Sequence, residues 1–138
     1  MCEASGVPIG LTVAGANRHD MKLVRETIRS IPIPRPRPTR RRPQGMCLDK
    51  GYDYKEVRSL LKRFGFTDHI SQRGVPAPAI KKRKRGKARR WVVERSHSWM
   101  NRFRRILVRW EKKSENYVAL LHLTLALIAF KCSGLLLG

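Results

Sequence analysis

Two acidic residues stand where a carboxylate could do chemistry. Asp49 follows Met46-Cys47-Leu48, which reads as a strand, and precedes Lys50-Gly51, a turn signal. A strand's C-terminal end is where α/β sheets gather ligand-binding groups. Glu94 is the acid singled out in the basic stretch from Lys87 to Lys113, whose period is helical. Helical spacing puts Glu94, His97, Asn101 and Arg105 on one stripe with Ser98 beside them, and Val92, Trp99, Phe103 and Ile106 on another. One face is expected to pack, while the other offers a carboxylate among cationic and amide groups. Phosphodiester cleavage or transfer uses divalent metals held by carboxylates from different elements, which activate an attacking oxygen and stabilise the leaving one. Asp49 and Glu94 are candidates for such a pair, and ordinary ion pairs are the competing reading.

The elements that must position them can be taken in chain order. Residues 6–15, GVPIGLTVAG, are apolar and β-branched between glycines and read as a short strand, the second half of a hairpin, whose edges call for strands earlier in sequence. Asn17 to Asp20 leads into a helix from Met21, with Asp20 as N-cap, Leu23, Ile28 and Ile31 as its apolar face, and His19 as a loop residue. Prolines alternate from Pro32 to Pro43, which favours an extended segment inside a basic loop over 32–45. Its five arginines suit a phosphate backbone or a solvated connector alike. Met46 to Asp53 is expected as a buried strand, Tyr54 to Phe64 as a helix packing Val57, Leu60, Leu61 and Phe64, with Gly65 as its C-cap, and 66–71, FTDHIS, as a second strand. Strand, helix, strand in this order predicts a parallel α/β layer.

Residues 72–90 carry no periodicity and read as a basic linker. Eight of the ten residues from Lys81 to Arg90 are basic, a run that stays extended until it meets a polyanion. Lys81, Lys82, Arg83, Lys84 and Arg85 are therefore candidate phosphate contacts, independent of sequence and sensitive to salt. Trp91, Trp99 and Trp110 flank basic residues and could stack on exposed bases, although Trp99 lies on the packing stripe. The helix is expected to run on until Lys112 to Glu115 breaks it, after which an apolar helix closes the domain.

Composition narrows the partners. The chain has 138 residues, 41% of them hydrophobic, and is most simply one domain with a core. Lys and Arg number 31 against 10 Asp and Glu, a net charge of +21, which favours a polyanion and points first to nucleic acid. Cys2, Cys47 and Cys132 are scattered, without disulfide or zinc spacing, and read as reduced, mostly buried thiols of a cytosolic protein. The apolar run from Tyr117 is broken by His122 and Thr124 and stopped by Lys131. It is shorter than the ~20 apolar residues of a membrane span, and so is expected as a helix buried in a core, with no membrane partner.

Three blocks carry a family resemblance: GVPIGLTVAGANRHD, CLDKGYDYKEVRSLL and RWVVERSHSWMNRFRRILVRWEKK. They resemble, in order, segments of bacterial insertion-sequence transposases with a DDE catalytic domain. The resemblance implies a partial RNase H-like fold, α/β with a short mixed sheet and packed helices. It implies Asp49 as second and Glu94 as third acid of the triad, Mg²⁺ as cofactor, and cleavage and joining of DNA at element ends and target. Within the Tyr, Arg, Glu and Lys pattern around the third acid, Arg90 matches the arginine. Lys87 replaces the tyrosine and Asn101 the lysine, with Arg102 or Arg105 as substitute cation. The family's first aspartate precedes the first block, where the earlier acid here is Glu3, in a stretch that matches nothing. The expectation is a C-terminal catalytic portion, truncated or joined by frameshifting to an upstream product that supplies this acid, and inactive alone. When complete it would be a nucleoid-associated homo-oligomer in the cytoplasm. A non-catalytic basic DNA-binding module is the alternative.

Overall fold

The computed structural model of the chain describes residues 1–74 and 90–134, without the side chain of Arg90. The chain divides into two compact units. One gathers Met1–Val13, Thr27–Pro32 and the described residues of Ala88–Gly138. The other gathers Ala14–Glu26 and the described residues of Ile33–Lys87. Helix α1 (Asp20–Arg29) contributes to both.

The second unit contains the expected parallel layer. Strand β1 (Gln44–Leu48) pairs in parallel with β2 (Phe66–Ile70), in a register that sets Gln44 beside Phe66 and Leu48 beside Ile70. Helix α2 (Lys55–Arg63) connects them and packs on β2. Its apolar residues recur at helical spacing, so Val57, Leu60 and Leu61 fall on one buried face, and Leu61 has 0% exposure. Gly65 ends the helix at φ 76°, where its N–H donates to the Lys62 carbonyl, and a Cβ there would come within 2.9 Å of Pro38. The sheet has two strands, both parallel, which corrects the expectation of a mixed sheet. β1 alternates between half-buried and exposed residues and is not a buried strand, because one face carries no cover among the described residues.

The loop over 32–45 is extended as expected, yet one of its arginines is structural. Arg35 stacks on the Phe66 ring at 4.0 Å, donates from Nη1 to Gln44 Oε1 (2.9 Å) and from Nη2 to the Phe64 carbonyl (2.7 Å). Arg37, Arg40, Arg41 and Arg42 are exposed.

In the first unit, Met1–Gly10 folds back on itself through one antiparallel bridge between Cys2 and Pro8. The strand expected over 6–15 is not formed. Pro8 has no N–H to extend a ladder, and the groups beyond it are satisfied singly: the Met1 ammonium donates to the Gly10 carbonyl at 2.7 Å, and Leu11 N donates to Ser30 Oγ at 2.9 Å.

Helix α3 (Arg90–Met100) ends far sooner than its basic periodicity suggests. A turn at Asn101–Phe103 separates it from α4 (Arg104–Leu107), an irregular stretch of turn and bend follows, and α5 (Ser114–Cys132) closes the unit. Both α3 and α4 pack on α5. α5 is long and apolar enough, by length and composition alone, to cross a membrane. It buries Leu121, Thr124 and Ile128 along one stripe and leaves Leu123, Leu127 and Phe130 exposed on another. The expected all-round burial is thus corrected, since α3 and α4 pack on it and one stripe stays exposed. Cys47 and Cys132 are exposed and Cys2 half-buried, against the expectation of mostly buried thiols.

Candidate functional site

Asp49 is the first residue beyond β1. Its extended backbone (φ −75°, ψ 175°) turns the chain into a single 3-10 turn over Lys50–Tyr52, and its Oδ1 accepts from Gly51 N at 2.7 Å. A Cβ on Gly51 would sit 2.8 Å from that oxygen, so a side chain there would displace the Asp49 carboxylate. Asp49 is exposed. Burial pushes the Tyr52 phenol up from its ordinary pKa, and the carboxylates of Asp20 and Asp49 add to this.

The turn is held from the far side of β2 by Arg73, a residue that sequence reasoning assigned to the linker. Arg73 Nε donates to the Lys50 carbonyl (3.0 Å), and Nη2 to the Gly51 carbonyl (2.8 Å) and the Tyr54 hydroxyl (3.0 Å). Its guanidinium also lies 4.4 Å from the centre of the Tyr54 ring. The Arg73 N–H donates to Asp53 Oδ2 at 2.9 Å, while Arg58 donates to Asp53 Oδ1 from Nε (3.0 Å) and Nη2 (2.8 Å). The Arg73 N–H first, and then Arg58, hold the Asp53 carboxyl below the usual aspartate range. Arg58 is ion-paired with Asp68 as well and donates to the Ile70 carbonyl at 3.0 Å. Asp53–Arg58 is a local pair at the start of α2, whereas Arg58–Asp68 and the Arg73 N–H on Asp53, at separations of 10 and 20 residues, give no local sequence signal.

In the other unit, Glu94 sits exposed on α3, with His97 one turn on and also exposed. The packed face is Val92 and Ser96, with Trp99 half-buried. Ser96 is the handle that positions the helix: its buried Oγ donates to the Gly6 carbonyl at 2.6 Å, with the Val92 carbonyl 3.1 Å away. Gly6, at φ 90°, lies so close that a Cβ would meet the Val92 carbonyl at 3.1 Å. Arg95 lies against Trp91 (4.9 Å) and Trp99 (5.7 Å).

The break at Asn101–Phe103 takes Asn101 and Arg105 off the helical stripe of Glu94, which corrects the predicted alignment. Asn101 and Arg102 stand exposed in the turn. Arg105, on α4, is ion-paired at 3.1 Å with Glu111. Glu111 is a second acid of the Lys87–Lys113 stretch, passed over in the sequence reading. Its side chain is only 8% exposed, and neither oxygen has a hydrogen-bond partner among the described residues. Lys81, Lys82, Arg83, Lys84 and Arg85 lie outside the described residues, as does the Arg90 side chain.

Asp49 belongs to one unit and Glu94 to the other. Among the described residues, no three His, Cys, Asp or Glu side chains gather at metal-binding spacing. Both acids are exposed carboxylates, hard oxygen donors of the kind Mg²⁺ takes alongside water and phosphate. The donor chemistry fits such an ion.

Comparison with known proteins bears on residues 46–131, which match the family model described as "Transposase DDE domain". Over 135 residues the chain is 33% identical to a Burkholderia cepacia protein named "Putative transposase for insertion sequence element IS402", covering 93% of this chain and 59% of that relative. The chain therefore spans under two thirds of the relative's length. No solved structure matches significantly.

Proposed function

This chain belongs to the transposase DDE domain family of insertion-sequence elements, and from that premise we propose that it serves DNA transposition as the C-terminal catalytic portion of an RNase H-like DDE domain. Asp49 is the second and Glu94 the third metal-holding acid. The observation that carries the reading is the placement of Glu94: the opposite face of α3 does the packing, through Val92 and Ser96, and leaves the carboxylate in solvent on a rigid element. Asp49 is comparably presented by a turn that Arg73 fixes. Acids of this kind would hold Mg²⁺, which would supply Lewis-acid activation of the attacking oxygen and stabilisation of the leaving one. The chain's own groups orient those carboxylates and bring cations to the phosphates.

Arg90, the run Lys81, Lys82, Arg83, Lys84 and Arg85, and Asn101, Arg102 and Arg105 are the proposed DNA contacts. They bind element ends and target in a homo-oligomer at the nucleoid. Within these 138 residues the family pattern is met at two acids. Strand cleavage is accordingly proposed to need a further acid that lies outside these 138 residues. A Mg²⁺-dependent nicking assay on residues 1–138 is expected to show no product, and robust metal-dependent nicking overturns this part. In a fusion that joins DNA, Glu94→Ala is expected to abolish joining while DNA binding persists.

The net charge of +21 favours one second reading, a basic module that binds DNA without cutting it and modulates a full-length relative. Under that reading Glu94→Ala changes neither joining nor binding.

A further inference from the structure

One aromatic side chain is left unexplained by the proposed catalytic carboxylates and by the core. Trp110 is 74% exposed, the most exposed large apolar side chain among the described residues. Trp91 and Trp99, by contrast, are both engaged by Arg95. Leaving most of an indole in water forgoes one of the largest burial gains a side chain can make. Its surroundings are cationic: Arg109 precedes it, Lys112 and Lys113 follow it, and Arg104 and Arg105 lie on α4, all exposed.

The segment that carries Trp110 is tied down on both sides. Glu111 turns inward, with Arg105 at 3.1 Å. The Arg109 guanidinium lies 5.4 Å from the centre of the Tyr117 ring, and Arg109 Nε donates to the Glu111 carbonyl at 3.3 Å. The Tyr117 hydroxyl reaches the Ile106 carbonyl at 3.5 Å, which links α5 back to α4. Fixing the neighbours of an exposed ring removes much of the ordering cost of binding to it. Leu107 and Val108, also exposed, widen the apolar surface.

An aromatic face ringed by cations matches one ligand chemistry above others: a flat base on a phosphate chain. In duplex DNA, base faces are covered by their neighbours, so the ring can take only an unpaired base. We propose that Trp110 is a stacking platform for an unpaired base of single-stranded DNA, with Arg109, Lys112 and Lys113 on the flanking phosphates. This rests on the transposition reading for its partner, and it gives the chain a site for the strand exposed when DNA ends are opened.

Three probes test it on the full 138-residue chain at one low salt concentration: a thymidine oligomer, the same oligomer with abasic sites, and a duplex of equal length. Wild type is expected to bind the thymidine oligomer about tenfold more tightly than the abasic one. Trp110→Ala should remove that preference, Trp110→Phe should restore most of it, and duplex affinity should change by no more than about twofold, because stacking is unavailable there. Unchanged thymidine binding in Trp110→Ala overturns the proposal. So does an equal loss on all three probes, or a change in sedimentation with DNA affinity intact, which would make the patch a protein interface. If both variants fail to fold, the ring belongs to the core and the proposal falls. Should wild type bind no probe, the DNA reading itself fails; binding without base preference sinks only the platform.

Discussion

Asp53 and Arg73 are the residues on which the presentation of Asp49 depends, and neither was legible. In the sequence, Asp53 follows a turn and Arg73 stands at the start of the aperiodic linker, so each has a local explanation that is sufficient and wrong. The pairing of β1 with β2 is what brings Arg73 back onto Lys50, Gly51 and Tyr54. We expect Arg73→Ala to lower the stability of this unit by about 1 kcal/mol, the net worth of hydrogen bonds that water can replace, and to broaden the amide resonances of residues 49–54. Unchanged Gly51 and Tyr52 shifts would show that Arg73 does not hold the turn. Asp53 gives a pH dependence with a definite sign. Its folded pKa lies below that of the unfolded chain, so the stability it contributes is fully present above the unfolded value of ~4 and is lost as pH falls through the folded one. Denaturant midpoints measured from pH 6 downward should fall less steeply for Asp53→Asn than for wild type over that acid window.

At the scale of elements, legibility followed the strength of the local period. Val57, Leu60 and Leu61 recur cleanly between a turn and Gly65, and α2 and β2 appear where the pattern puts them, whereas β1 starts two residues early and ends at Leu48 rather than Asp53. Leu61→Ala should cost about 2–5 kcal/mol, read from chemical denaturation, because its site has no exposure through which to relax. The basic helix was legible only in its first half. Val92 and Trp99 mark the packed face, but Phe103 and Ile106 prolong the same period across a turn that takes Asn101 and Arg105 out of line. Periodicity counts residues and does not register where the backbone leaves the helix. Nor did sequence reveal what holds α3, since the Ser96 bond to Gly6 spans 90 positions. Gly6→Ala is expected to destabilise this unit by about 1–3 kcal/mol, because φ 90° and the Val92 carbonyl at 3.1 Å both oppose a Cβ. Ser96→Ala should cost about 1–2 kcal/mol. A Gly6→Ala melting profile identical to wild type would show that the N-terminal turn does not support the Glu94 helix.

For the whole molecule the governing quantity is charge. Four described acids, Glu26, Asp53, Asp68 and Glu111, are paired with arginines, and the net excess of +21 means that cations far outnumber the acids they could meet. Such an excess opposes the folded state by self-repulsion and is relieved by a polyanion. Duplex binding should therefore be governed by counterion release, with log affinity falling linearly in log salt. If the segment from Lys81 to Arg85 engages the backbone together with Arg90, Arg102 and Arg105, the contacts number about six to ten, and affinity should drop by roughly 10³–10⁵ between ~50 and ~200 mM salt. Replacing Lys81, Lys82, Arg83, Lys84 and Arg85 together by Gln should shallow that slope by four to five contacts, at ~0.9 each, whatever the duplex sequence. Replacing Glu94 should leave the slope unchanged, because a metal-holding carboxylate neutralises no phosphate. A slope insensitive to the basic run would move the phosphate track elsewhere, to the exposed Arg37, Arg40, Arg41 and Arg42 of the extended loop. Both stretches are basic and aperiodic, so the sequence favours a polyanion without saying along which of them it runs, and the two slopes decide between them.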